Sequence, residues 1–261
     1  MATKKGGWAA FPHDNSAFVY DGAALKKNWA RLHKGDAEPF PAEKAVEEAW
    51  RLYHAGDFQG AYEAGLAAGL DGYNAANKAA CIYNNYLETS DAKKQKAYEE
   101  IAARCEELQA AQKKNANAYY LAAYALGRYG QLIGVAKALT QGIGGKVSAA
   151  LNTAIKLEPK HADAHIALGT FNAEVIEKVG SMIGKMTYGV SKEAAVENYD
   201  KALKLNPDSA IARTEMADGL YKLFGDKKMK DVEKLYAEAA ACEPKDAMEC
   251  LDIEAAKAEM E

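Results

Sequence analysis

Three stretches decide the fold: Leu151-Asn-Thr-Ala154-Ile-Lys-Leu-Glu-Pro159-Lys-His161-Ala162-Asp-Ala164, Tyr199-Asp-Lys-Ala202-Leu-Lys-Leu-Asn-Pro207-Asp-Ser209-Ala210-Ile-Ala212 and Tyr236-Ala-Glu-Ala239-Ala-Ala-Cys-Glu-Pro244-Lys-Asp246-Ala247. Each places a small alanine five residues before a proline and a polar residue two positions after it. Alanine lets a neighbouring helix approach closely, and proline cannot continue a helix. The polar residue that follows can accept a hydrogen bond from the first turn of the next helix. Each stretch therefore predicts the end of one helix, a tight turn and the start of another.

Working outward, the apolar positions from Ala42 onward keep a helical period, and no stretch alternates as a strand would. Helices are expected over 42–55, 58–70, 74–88, 91–112, 116–129, 131–141, 145–157, 162–179, 181–188, 191–205, 209–224, 228–242 and 246–259, with Gly or Pro at many of the breaks. Residues 1–41 read differently. They hold one short helix between Asp21 and Lys34, with Leu25, Trp29 and Leu32 on one face, then the extended string Gly35-Asp-Ala-Glu-Pro39-Phe-Pro41. We expect this arm to pack its Trp and Phe residues onto a repeat domain spanning 42–261.

The alanine–proline pattern, Ala164-His-Ile-Ala-Leu-Gly169 and Gly56-Asp-Phe-Gln-Gly-Ala61 resemble the tetratricopeptide repeat. The likeness is strongest over 144–250, present over 42–129, and absent from 1–41. It implies an all-α, right-handed α-solenoid of antiparallel helix hairpins. Pro207 and Pro244 are 37 residues apart, but Pro159 and Pro207 are 48 apart, against about 34 for a usual repeat. The excess predicts an apolar insert after the first helix of the repeat at Ala162. A matching insert near 130–143 aligns at the same offset, with Lys137 on Lys185 and Ala154 on Ala202. Elongated repeats of this type are similar to the T component of certain periplasmic substrate transporters and to the regulator-of-microtubule-dynamics proteins. The inserts could pack on each other, or wall a hydrophobic pocket or dimer surface.

The resemblance implies a concave groove lined by the first helix of each repeat. Projected onto that pattern, Asn77, Asn84, Asn117, Tyr120, Tyr124, Arg128, Asp163, Thr170, Glu174, Thr214, Asp218 and Tyr221 point inward. Asparagine can donate and accept, which suits gripping a peptide backbone. Tyrosine offers flat apolar area and a hydroxyl. The expected function is a non-enzymatic scaffold binding a protein or peptide segment. The alternatives are a small-ligand carrier using the apolar inserts, or an oligomer built through the inserts or the last helix, where Leu251 and Ile253 are exposed candidates. A closed apolar cavity between the inserts favours the carrier, and an open polar trough the scaffold.

Other chemistry is weakly signalled. A net charge of −4 argues against a general nucleic-acid partner. His161 and His165, with Asp163 between them, have helical metal-ligand spacing, but the register sends Asp163 to another face, so no metal or cofactor is expected. Gly142-Ile-Gly-Gly145-Lys146 lacks the spacing and following Ser/Thr of a phosphate loop. No nucleophile stands with a base, so no catalytic residue is assigned. Met1 to Ser16 carries Lys4 and Lys5 without an apolar run and does not read as a secretory signal. No membrane span is expected. Four cysteines without a C-x-x-C pair suit a reducing, cytoplasmic setting.

Overall fold

The computed structural model describes residues 7–260; Lys4 and Lys5 lie outside them. The chain forms α1 (Ala23–Leu32), α2 (Lys44–His54), α3 (Phe58–Ala67), α4 (Tyr73–Tyr86), α5 (Asp91–Ala111), α6 (Ala116–Ile133), α7 (Val135–Thr140), α8 (Ile143–Leu157), α9 (Ala162–Tyr188), α10 (Lys192–Leu205), α11 (Ala210–Phe224), α12 (Met229–Ala240) and α13 (Ala247–Ala258). There is no strand among the described residues. The helices pair as α2/α3, α4/α5, α6/α8, α9/α10 and α11/α12, and α13 follows as an unpaired first helix. The architecture is an α-solenoid of antiparallel hairpins.

The three turns work as their chemistry requires. His161, Ser209 and Asp246 are N-caps, accepting the backbone N–H of Ala164, Ala212 and Glu249 respectively. Ala154, Ala202 and Ala239 are fully buried where neighbouring helices meet. Hairpins lock through small residues under large ones. A Cβ on Gly169 would come within 2.8 Å of the Tyr199 ring, and one on Gly219 within 2.7 Å, so glycine on α9 and on α11 is what lets this buried tyrosine of α10 nest between them. On Gly65, a Cβ would meet backbone atoms of Gly72 and Ala76 at 2.7 and 2.8 Å. Backbone cannot swing aside, so α3 and α4 meet there only through glycine.

The first insert differs from expectation in its joint. α6 continues through Gly130 to Ile133, and α7 is a short separate turn of helix. The second insert follows a break at Gly180, whose φ of 81° and ψ of 157° are not helical and suit glycine, so α9 is two helical segments joined where the expected helices 162–179 and 181–188 meet. The two inserts touch where Tyr188 Oη donates to the Leu139 carbonyl at 3.4 Å. Beyond the kink, Met182 and Met186 stay 75% and 83% exposed.

The arm lies along the first hairpins. Trp8 stacks on Tyr83 with ring centroids 4.2 Å apart. In α1, Leu25, Trp29 and Leu32 are buried. Gly22 occupies the N-cap position of α1.

Candidate functional site

The solenoid closes on itself. α13 returns to the first hairpin, where Ala247 and Leu251 join Trp50, Tyr53 and Phe58 in one apolar cluster. Polar contacts tie the same seam. Arg31 donates both terminal nitrogens to Glu249 at 2.6 and 3.1 Å, and Tyr20 Oη donates to the Lys245 carbonyl at 2.5 Å. The Asp246 Oδ1 caps α13 while its Oδ2 lies 2.8 Å from His54 Nδ1. The expectation that Leu251 and Ile253 are exposed is therefore corrected: they are 5% and 3% exposed. Leu251 is covered by the first hairpin. Ile253 is covered by the cluster with Ala210 and Ala239.

The arm enters this closed face. The Gly35 carbonyl accepts the Asp163 N–H at 3.0 Å. A Cβ there would lie 2.3 Å from Asp163 Oδ1. Asp36, buried, pairs with Lys78 and lies 2.9 Å from His33 Nδ1. His33 Nε2 is 3.2 Å from His54 Nε2, so a continuous polar chain runs from Asp246 through the two imidazoles to Asp36 and Lys78. Glu38 accepts from Asn74 at 2.9 Å and Asn117 at 2.5 Å. Asn117 also donates to the Asp36 carbonyl at 3.0 Å. An asparagine of the concave face does grip a peptide backbone, but the backbone belongs to this chain.

The remaining concave space is a cavity of about 140 Å³. The first insert and α8 supply Val135, Leu139, Ile143 and Val147; α9 supplies Phe171 and Val175. α4 and α13 complete the wall with Ile82 and Met248. Charged and hydroxyl groups line it too: Lys78, Tyr86, Arg128, Asp163, Glu215 and Asp252. Arg128 is bonded to Glu215 at 3.0 Å, which also accepts from Thr170 at 2.8 Å. Asp252 accepts the Tyr86 hydroxyl.

Of the residues projected inward, Tyr120, Tyr124, Arg128, Asp163, Thr170 and Glu174 line this cavity. The others go elsewhere. Asn77 lies buried against α5, bonded to Arg104 Nε at 2.8 Å and Cys105 Sγ at 3.4 Å. Asn84 donates to the Ala80 carbonyl of its own helix at 2.7 Å. Thr214 does the same to Ala210, and Asp218 accepts from Tyr236. Tyr221 is 51% exposed and outside the cavity. On α4 the inward residue is Lys78, one position and about 100° round from Asn77. Asp252 and Met248 could not be projected inward from the repeat pattern alone, because α13 reaches the cavity only by closure. His161 donates from Nε2 to Asn117 Oδ1 at 2.9 Å, since its Nδ1 accepts the cap bond. Among the described residues, no group of three potential metal ligands comes together.

Burial shapes the titration of these groups. It pushes Asp252 up to about 8 and Glu38, beside the Asp36 charge, up to about 7. It pulls His33 down to about 4 and His161 to about 3. The depressed imidazoles make stability rise as pH climbs towards 6.5 and contribute no slope beyond. The raised carboxyls hold protons that the unfolded chain has already released, so they lower stability until their folded values are passed. Between pH 6.5 and 8 the carboxyls dominate, and unfolding free energy is expected to fall by about 2 kcal/mol. Urea unfolding at the two pH values checks this, and Asp252→Asn should flatten most of the slope.

A solenoid of tetratricopeptide-type hairpins, closed by its last helix around an apolar cavity, is the class of protein this geometry defines. The chain belongs to the regulator of microtubule dynamics protein 1-3 family, whose model matches residues 46–258. Among solved structures it is similar to TTC0263, a thermophilic TPR protein of Thermus thermophilus, at 16% identity and a TM-score of 0.56, over 82% of this chain and 97% of that one. A more distant likeness is to YrrB, described as a TPR protein with an unusual peptide-binding site, at 14% identity and a TM-score of 0.41, over 90% of this chain and 100% of that one. No curated protein matches significantly. Among the described residues no helix is long and apolar enough to cross a membrane.

Proposed function

We propose that this chain is a non-enzymatic binding scaffold that takes a compact, largely apolar guest into the half-open cavity of its concave face. The observation that carries this reading is the apolar wall built by the first insert, α8 and α9 on a face whose other residues are charged. Its volume suits a small apolar body: an enclosed engineered void of about 150 Å³ takes benzene. A long peptide laid along the trough is less well supported, because Asn117 and Asp163 already hold the arm. A protein partner would present a terminus or one side chain, and a carried small molecule would occupy the same space. The free cysteines fit a reducing compartment, in keeping with a cytoplasmic protein.

Benzyl alcohol serves as a neutral test guest. It is expected to raise the melting temperature in a saturable way, since a ligand that binds only the folded state stabilises it. Ala167 lines the cavity, and Ala167→Leu should fill part of it and abolish the shift. An equal shift in the filled variant would place binding elsewhere and end this reading.

A further inference from the structure

The acids and bases that line the cavity are not matched in number. Two cations line it, Lys78 and Arg128, against four acids, Asp163, Glu174, Glu215 and Asp252. Both cations are engaged: Lys78 by Asp36 and, at 3.7 Å, by Asp163; Arg128 by Glu215 at 3.0 Å. Glu174 has Lys222 at 3.4 Å. Asp252 is 4% exposed, accepts only the Tyr86 hydroxyl on Oδ1, and meets no basic side chain among the described residues. A buried carboxylate without a cation is costly. Resting on the cavity reading above, we propose that the polar end of the cavity is a site for a primary ammonium group on an apolar stem, with Asp252 as its counter-ion.

The chemistry is complementary on both sides. An ammonium brings three donors and no acceptor, matching a carboxylate whose only partner is one hydroxyl. The tyrosines at this end, Tyr86 and Tyr124, offer ring faces that attract a cation, as Tyr124 already does Arg128 at 5.4 Å. A carboxylate guest would meet the excess of acids and find both cations occupied. The stem fits the apolar wall, whose volume admits a body of about one benzene ring. Two sources carry this chemistry: a free arylalkylamine, or an amino terminus beside an apolar side chain on a partner.

Binding should also move a proton. Sharing the cavity with Asp252 are Lys78 and Tyr86 from α4, Arg128 and Tyr124 from α6, Asp163 and Glu174 from α9 and Glu215 from α11; outside it, the charges of Asp246, the N-cap of α13, and of Glu249 also act on Asp252. Burial together with those acids holds the Asp252 carboxyl protonated at neutral pH without a guest. An ammonium must displace that proton, so affinity rises with pH towards 8.

Titration calorimetry with benzylamine, benzyl alcohol and benzoate tests the proposal. Benzylamine is expected to bind at least tenfold more tightly than benzyl alcohol at pH 7.5, and benzoate most weakly. The benzylamine heat should depend on the buffer's ionisation heat, reporting release of close to one proton. In Asp252→Asn, with folding checked by circular dichroism, the amine-to-alcohol ratio should fall to near one and proton release should vanish. Binding of benzyl alcohol without preference for the amine overturns the ammonium site and leaves the cavity reading standing; binding of none of the three overturns both. A peptide starting with phenylalanine, compared with its N-acetylated form, separates the sources. Capture lost on acetylation supports a protein amino terminus, and capture of benzylamine alone supports a free amine.

Discussion

Replacing Lys78 by methionine is expected to lower the unfolding free energy by about 3–5 kcal/mol, the usual cost of removing one partner from a buried ion pair. Lys78 is 6% exposed and pairs with Asp36, itself 2% exposed, and with Asp163. Methionine keeps most of the stem, so lost packing is a minor part. The cost comes from the carboxylates left behind. Burial acts to raise the Asp36 carboxyl, yet Lys78 and His33 hold it well below its usual range. Without Lys78 the closed face would have to hold Asp36 on His33 alone, or protonate it. Part of the loss should therefore return as pH is lowered towards 5. Against a typical total of about 5–15 kcal/mol, this is a large fraction. Urea unfolding at pH 7 measures it, and Asp36→Asn in the Lys78→Met background should restore much of the stability, because it removes the stranded charge. A loss below about 1 kcal/mol is the surface-pair result and would contradict the burial argued here.

Local chemistry made the fold legible. His161, Ser209 and Asp246 were readable as caps because each cap is a contact between residues three apart. Gly169 was readable as a contact to its partner helix because the repeat fixes hairpin register. The candidate site was half legible for the same reason. Tyr120, Tyr124 and Arg128 recur along α6 at helical spacing, and where Tyr120 faces the cavity Tyr124 must follow. Asn77 failed by one position: the register that sent it inward ignored Arg104 and Cys105, which draw it against α5. Ring closure left no local trace. Nothing within α13 says that Glu249 meets Arg31 across 218 residues, or that Asp252 meets Tyr86 across 166. The arm's Gly35–Pro41 string read as extended, but its insertion between α4, α6 and α9 rests on side chains far away in sequence.

That closure makes Asp246 the position with the second large expected effect. Its carboxylate does two jobs. Oδ1 accepts the Glu249 N–H at 2.8 Å as the N-cap of α13, and Oδ2 faces His54 Nδ1 at 2.8 Å across the seam. Losing a cap costs about 0.5–2 kcal/mol, and leaving the buried His54 nitrogen without its partner costs about 1–3 kcal/mol. Asp246→Ala should thus lower stability by about 2–4 kcal/mol, with part of the loss local to α13. Hydrogen exchange would show it as faster exchange through Ala247–Ala258 than through α11. Asp246→Asn separates the two jobs, since asparagine caps as well as aspartate but carries no charge to set against the imidazole. If the seam matters more than the cap, the asparagine variant keeps much of the alanine variant's defect. If the cap dominates, it is nearly wild type. Exchange in α13 that matches α11 in both variants would mean that closure does not depend on Asp246. The seam would then be held by Arg31–Glu249 and the Leu251 contacts instead. Because Met248 and Asp252 reach the cavity only while α13 is docked, the same variants should weaken guest binding in step with α13 exchange. A site formed by the other first helices alone would keep its affinity.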